Sequence, residues 1–138
     1  MSKSKVFIVD DSVLIRRILT TSLAEDPAFE VIGYAVNGKA CLPKIAEAKP
    51  DVVVMDVEMP EMTGPQAVRA LRDSGFKQPI IMFSTVTSLA SEATLEALAA
   101  GANGYVNKPN QGQNADEAVR EVRGSLIPKL KSVLAGKR

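Results

Sequence analysis

Histidine is absent from this 138-residue chain, and cysteine occurs once, at Cys41. Without histidine, a Ser-His-Asp or Cys-His relay is impossible within the chain. Zinc is disfavoured as well, because its usual ligands are imidazole and thiolate. A lone cysteine excludes an internal disulfide and a cysteine metal cage, so Cys41 reads as a small packing residue on a helix. Long apolar runs are also missing: none approaches the length needed to span a bilayer. The start, Met1-Ser2-Lys3-Ser4-Lys5, lacks the apolar stretch of a secretory signal, which makes the cytoplasm the expected location. Net charge is +1, so no strong field of one sign favours nucleic acid or a membrane surface. There is no internal repeat and no low-complexity tract.

What is present is a core-forming composition, 46% apolar, in a length suited to one domain with a short appendage. Apolar runs at 5–9, 29–35, 51–56, 79–84 and 104–107 read as strands. Helical patterns at 12–25, 38–48, about 63–73, 89–100 and 115–127 alternate with them. Asn37-Gly38, Pro50, Gly75 and Gly101 punctuate the boundaries. The fourth run is nearly all apolar, as expected of a strand buried on both faces. Strict β–α alternation predicts an α/β fold, a parallel sheet with helices on both sides and right-handed crossovers. Periodicity alone does not give the strand order. Beyond Gly124 the composition changes: Lys129, Lys131, Lys137 and Arg138 occur without an acid, and Pro128 is placed to interrupt a helix. The expected division is therefore a domain over 1–125, with 126–138 as a helix end and linker.

Acidic residues mark the strand ends. Asp56 closes Asp51-Val52-Val53-Val54-Met55-Asp56, and Asp10-Asp11 follow Val6-Phe7-Ile8-Val9. Sites in open α/β sheets lie beyond the carboxyl ends of the strands, so one parallel sheet would bring three carboxylates together. Two carboxylates ~4 Å apart repel by roughly 4 kcal/mol at an effective dielectric of ~20. A hard cation such as Mg²⁺ is the usual reason for such a cluster. A carboxylate can also attack a phosphoryl group, a reaction that rests mostly on positioning and charge neutralisation. That chemistry wants a divalent cation, a lysine as a point charge and a hydroxyl. Lys108, held by Pro109 after the fifth strand, and Ser84, closing the fourth, are the candidates. Taken singly, each has an ordinary explanation: a strand-end serine caps a turn, an aspartate after a strand caps a helix, and Tyr105 is a half-buried strand aromatic. All four groups at successive strand ends form a far more specific pattern.

The pieces Val9-Asp10-Asp11-Ser12, Met55-Asp56-Val57-Glu58-Met59-Pro60-Glu61-Met62-Thr63-Gly64, Ile81-Met82-Phe83-Ser84 and Gly101-Ala102-Asn103-Gly104-Tyr105-Val106-Asn107-Lys108-Pro109 together resemble the receiver domain of two-component response regulators. The resemblance covers residues 5 to about 125. It implies a flavodoxin-like, doubly wound sheet of order 2-1-3-4-5. It also implies that Asp56 is the phosphoacceptor and that Asp11 and Asp56 bind Mg²⁺ directly. Asp10 would assist through water or a hydrogen bond, and the Glu58 backbone carbonyl would complete the protein ligands. Lys108 and Ser84 would contact the phosphoryl group. Ser84 and Tyr105 would form a switch pair, with a sensor histidine kinase as donor. A downstream output domain or target protein would read the face made by the fourth helix, fifth strand and fifth helix.

Two positions depart from the family pattern. Thr85 stands where alanine is usual, and its bulk restricts access to the phosphoryl group. Glu58, two residues past Asp56, places a negative charge over the site, with an effect on phosphate lifetime of undetermined sign. The stretch from Met82 to Leu98, Asp11-Ser12-Val13-Leu14-Ile15-Arg16-Arg17 and Leu126-Ile127-Pro128-Lys129-Leu130 resemble the receivers of chemotaxis protein-glutamate methylesterases. In those, a receiver precedes an esterase domain that this chain does not contain, so no enzyme is expected here. Other readings remain: a receiver of another two-component pathway, or a phosphorylation-independent binding module. A metal-dependent phosphatase would want an early Asp-x-Asp nucleophile and a cap. A flavin module would want a Ser/Thr/Gly-rich phosphate loop where Asp10-Asp11 stands.

Overall fold

The computed structural model describes residues 3–85, 87–110 and 112–136. Five strands alternate with five helices: β1 Ser4–Val9, α1 Val13–Ala24, β2 Phe29–Ala35, α2 Gly38–Ala48, β3 Val52–Asp56, α3 Gly64–Asp73, β4 Ile80–Ser84, α4 Ser88–Ala100, β5 Gly104–Asn107 and α5 Ala115–Ala135. All strand pairs are parallel, in the order β2-β1-β3-β4-β5. This is the order the resemblance implies. Among the described residues no helix is long and apolar enough to cross a membrane.

Strand side chains alternate between two cores. Val6 and Ile8, Val52 and Val54, Ile81 and Phe83, and Val106 pack with α1 and α5 residues such as Leu19, Leu23, Val122 and Leu126. Phe7 and Val9, Val53 and Met55, and Ile80 and Met82 pack on the other face with Ile45, Val68, Leu71, Ala90 and Ala97. Two covered faces explain why the strand sequences read as unbroken apolar runs. Cys41 belongs to the second core, and burial pushes its thiol up to about 12. It is a packing residue, as the sequence implies.

All five helix starts carry side-chain caps, α5 through a reciprocal pair of Asn114 and Glu117. Ser12 accepts from the Ile15 N–H, Asn37 from Ala40, and Thr87 from Ala90. Thr63 and Gln66 form a reciprocal capping box at α3.

One expectation fails, at the C-terminal end. The sequence reading ends the last helix near residue 127 and treats 126–138 as helix end and linker. Instead α5 continues through Pro128 to Ala135. Leu126, Ile127 and Leu130 are buried in the first core, and Lys131 lies 3.5 Å from Asp26. Tertiary burial outweighs the proline's missing N–H.

Candidate functional site at the carboxyl edge of the sheet

Three of the candidate side chains share one strand parity. Asp56 continues the Val52–Val54 alternation toward the α1–α5 face, as Asp10 continues Ile8 and Lys108 continues Val106. The carboxyl ends of β1, β3 and β5 thus deliver them to one place, with β4 between β3 and β5. One carboxylate oxygen from each of Asp10, Asp11 and Asp56 lies within 4.8 Å of the others. Lys108 Nζ is 3.0 Å from Asp56 Oδ1 and 3.5 Å from Asp10 Oδ2. Asp10 and Asp56 are buried, whereas Asp11 is exposed at the rim.

Backbone donors orient both buried carboxylates. The Ser12 N–H donates to Asp10 Oδ1 at 2.9 Å, and the Glu58 N–H donates to Asp56 Oδ1 at 3.2 Å. The loop after β3 folds back tightly: the Gly64 N–H donates to the Val57 carbonyl at 2.9 Å. A Cβ on Gly64 would stand 2.6 Å from the Asp56 carbonyl oxygen, so only glycine permits this approach. The Glu58 side chain is exposed beside the site.

The electrostatics are those of a site short of positive charge. Burial, then the Asp10 charge, raises the Asp56 carboxyl to about 6 against the pull of Lys108. Burial likewise raises Asp10. For Lys108, burial acts to lower the ammonium, but Asp10 and Asp56 together overcome it and the net shift is upward. Asp10 Oδ2 is buried with no hydrogen-bond donor; Lys108 at 3.5 Å supplies charge but not a bond. An all-oxygen donor set with one buried oxygen unsatisfied fits a hard divalent cation.

Ser84 and Tyr105 stand apart from this cluster. Ser84 shares parity with Ile80 and Met82, so its side chain lies on the α4 face of β4. Its Oγ is 3.0 Å from the Thr85 carbonyl and 3.1 Å from Thr94 Oγ1. Tyr105, opposite Met82 in register, is 50% exposed. Thr85 is exposed at the rim.

Two contributors were not singled out in the sequence. Arg16 Nη1 donates to the Asp10 carbonyl at 2.9 Å while its guanidinium lies 4.6 Å from the Tyr34 ring centroid. An arginine one turn inside the helix that follows an acidic loop is a usable signal. Thr94 is the other; a hydroxyl one turn from both Ala90 and Ala97 on an alanine-rich helix was its only mark.

The sequence matches the family model described as the response regulator receiver domain over residues 6–120. The chain belongs to this receiver family. Receivers of the family take phosphoryl groups from histidine kinases and regulate an output, so the domain is regulatory. Among curated relatives, the protein-glutamate methylesterase/protein-glutamine glutaminase of a Nocardioides species is 51% identical over 130 residues, 94% of this chain and 36% of that protein. The Trichodesmium erythraeum protein of the same name is 42% identical over 94% of this chain and 37% of its own length. The receiver thus spans little more than a third of either relative. Of solved structures, the response regulator domain of Thermotoga maritima CheB superposes with a TM-score of 0.83 at 30% identity, covering 97% of this chain and 98% of that one. The Vibrio cholerae chemotaxis protein CheY4 gives 0.73 at 35% identity, covering 96% and 99%.

Proposed function

We propose that Asp56 accepts a phosphoryl group from a sensor histidine kinase and that the α4–β5–α5 face reports the change. The carrying observation is the Asp10–Asp11–Asp56 cluster with Lys108 3.0 Å from Asp56. In this reading Asp11, Asp56 and the Glu58 carbonyl hold Mg²⁺ directly, and Asp10 supports it through water or a hydrogen bond. When bound, the ion offsets the carboxylate charge and draws the phosphoryl oxygens into place. An Asp56 carboxylate oxygen forms the new bond to phosphorus as the donor's bond to phosphorus breaks. Lys108 exchanges its contact with the bare carboxylate for one with a phosphoryl oxygen, remaining a point charge.

The switch follows from a new dianionic group beside a loop that carries a hydroxyl. Ser84 would turn from the α4 face to a phosphoryl oxygen, and the Tyr105 ring would turn inward. Room for it is supported by a cavity of about 320 Å³ lined by Ser84, Thr85, Thr94, Leu95, Leu98 and Tyr105, among others. Thr85 and Glu58, both at the rim, would tune the lifetime of the phosphoryl group.

We further propose a chemotaxis role in the cytoplasm, with a methylesterase domain as the regulated output. The support is the likeness to the methylesterase relatives over nearly the whole chain. In this arrangement α5 would lead stiffly into the connection to that domain.

Fluorine NMR with beryllofluoride, a phosphoryl mimic, tests the site. A bound signal that requires Mg²⁺ and is lost in Asp56→Asn is the expected result. Absence of a bound signal in the wild type would leave the fold as a phosphorylation-independent binding module.

A further inference from the structure

Ser84 and Thr94 are both buried, and their hydroxyl oxygens lie 3.1 Å apart. Thr94 Oγ1 is also 2.8 Å from the Ala90 carbonyl, one turn back on α4. Each hydroxyl has one proton to donate. If Thr94 donates to Ala90, Ser84 keeps its own bond to the Thr85 carbonyl and the two hydroxyls are in contact without sharing a proton. If Thr94 donates to Ser84, the Ser84 proton goes to the Thr85 carbonyl, 3.0 Å away. The second arrangement joins the two side chains, and in both the Ser84 proton goes to the Thr85 carbonyl. Bonding back to a carbonyl is open to a threonine anywhere on a helix and does not require Ser84. The rest of this buried stripe, Ala90 and Ala97, is methyl-sized and apolar.

We infer that Thr94 is a positioning residue for the switch, holding Ser84 in the conformation of the unphosphorylated chain. This rests on reading Asp56 as phosphoacceptor and Ser84 as the switch hydroxyl. Ser84 lies on the α4 face, whereas the Asp56 carboxylate lies with Asp10 and Lys108 toward the other. To donate to a phosphoryl oxygen, Ser84 must leave Thr94. A bond present in only one of two states biases the equilibrium by its net worth. For a neutral hydrogen bond that is about three- to tenfold. Thr94 also lines the cavity that Tyr105 would fill, so releasing Ser84 and admitting the ring are adjacent events.

The test uses the full chain carrying Tyr34→Phe, which leaves Tyr105 as its one tyrosine. Beryllofluoride affinity at saturating Mg²⁺ is read from Tyr105 fluorescence, and the Tyr105 ring shift is read by NMR without metal. Thr94→Val should bind beryllofluoride about three- to tenfold more tightly, with its metal-free ring shift moved toward that of the complex. Thr94→Ala should do the same, which guards against a distorted α4, and Thr94→Ser should stay within about twofold of wild type. In a Ser84→Ala background the Thr94→Val effect should vanish. A Thr94→Val affinity within about twofold of wild type, or an equal gain without Ser84, would overturn the inference. Wild type that binds no beryllofluoride would overturn the Asp56 reading and this inference with it.

Discussion

Asp56 titrates in an unusual range because it is buried beside Asp10 with one lysine between them. Its folded value of about 6 lies above the ordinary 3.8. The folded chain therefore holds that proton more tightly than the unfolded chain does. The associated stability is complete below the unfolded value and is lost as pH rises through about 6. At neutral pH, without metal, the charged carboxylate costs up to about 3 kcal/mol. Asp56→Asn should accordingly be more stable than wild type at pH 7.5 without Mg²⁺, by about 1–3 kcal/mol. The gap should shrink below about pH 6 and be mostly gone near pH 4. Denaturant melts across pH measure this, and a pH-independent gap would contradict it. Metal binding has the matching dependence, since a protonated Asp56 is a poor ligand. Apparent Mg²⁺ affinity, measured by calorimetry, should fall about tenfold per unit as pH drops below about 6. A flat profile through that range would place the ion elsewhere.

At the scale of elements, most boundaries were legible because caps and breakers are local signals. Asn37 and Thr63 mark their helices in the sequence, and the structure uses each as a cap, whereas Thr87 caps α4 without having been singled out. The end of α5 was not legible, because Pro128 is a local stop signal and the burial of Leu126, Ile127 and Leu130 is a tertiary fact. Deleting everything after residue 125 removes three buried side chains worth about 1.5–3 kcal/mol each. That sum rivals the stability of a whole domain. The truncated chain should fail to fold cooperatively, as circular dichroism melts would show; a native-like melt would restore the boundary at residue 125. Pro128→Ala should stabilise by about 1–3 kcal/mol, because a helix interior regains its N–H. Gly64→Ala should act in the opposite sense, by about 1–3 kcal/mol, and weaken Mg²⁺ binding as well. Its methyl would collide with the Asp56 carbonyl and push the β3–α3 loop away from the site.

For the whole molecule, alternation of strands and helices gave the class, but the order β2-β1-β3-β4-β5 was reached only through family resemblance. Periodicity says which residues are buried, not which strands are neighbours. Once the order is known, parity explains the site: Asp10, Asp56 and Lys108 converge on one face of the sheet edge, while Ser84 starts on the other. Thr94 stayed hidden because its role depends on a contact across elements that no spacing rule encodes. The division of faces is what makes the domain a switch in this account: chemistry occurs on one side, and its consequence must be carried to α4 and β5 on the other. Intact mass after incubation with a small acyl-phosphate donor tests that chemistry most directly. One added phosphoryl group, dependent on Mg²⁺ and absent in Asp56→Asn, is the predicted result. An adduct that persists in Asp56→Asn, or that forms equally without Mg²⁺, would contradict the account.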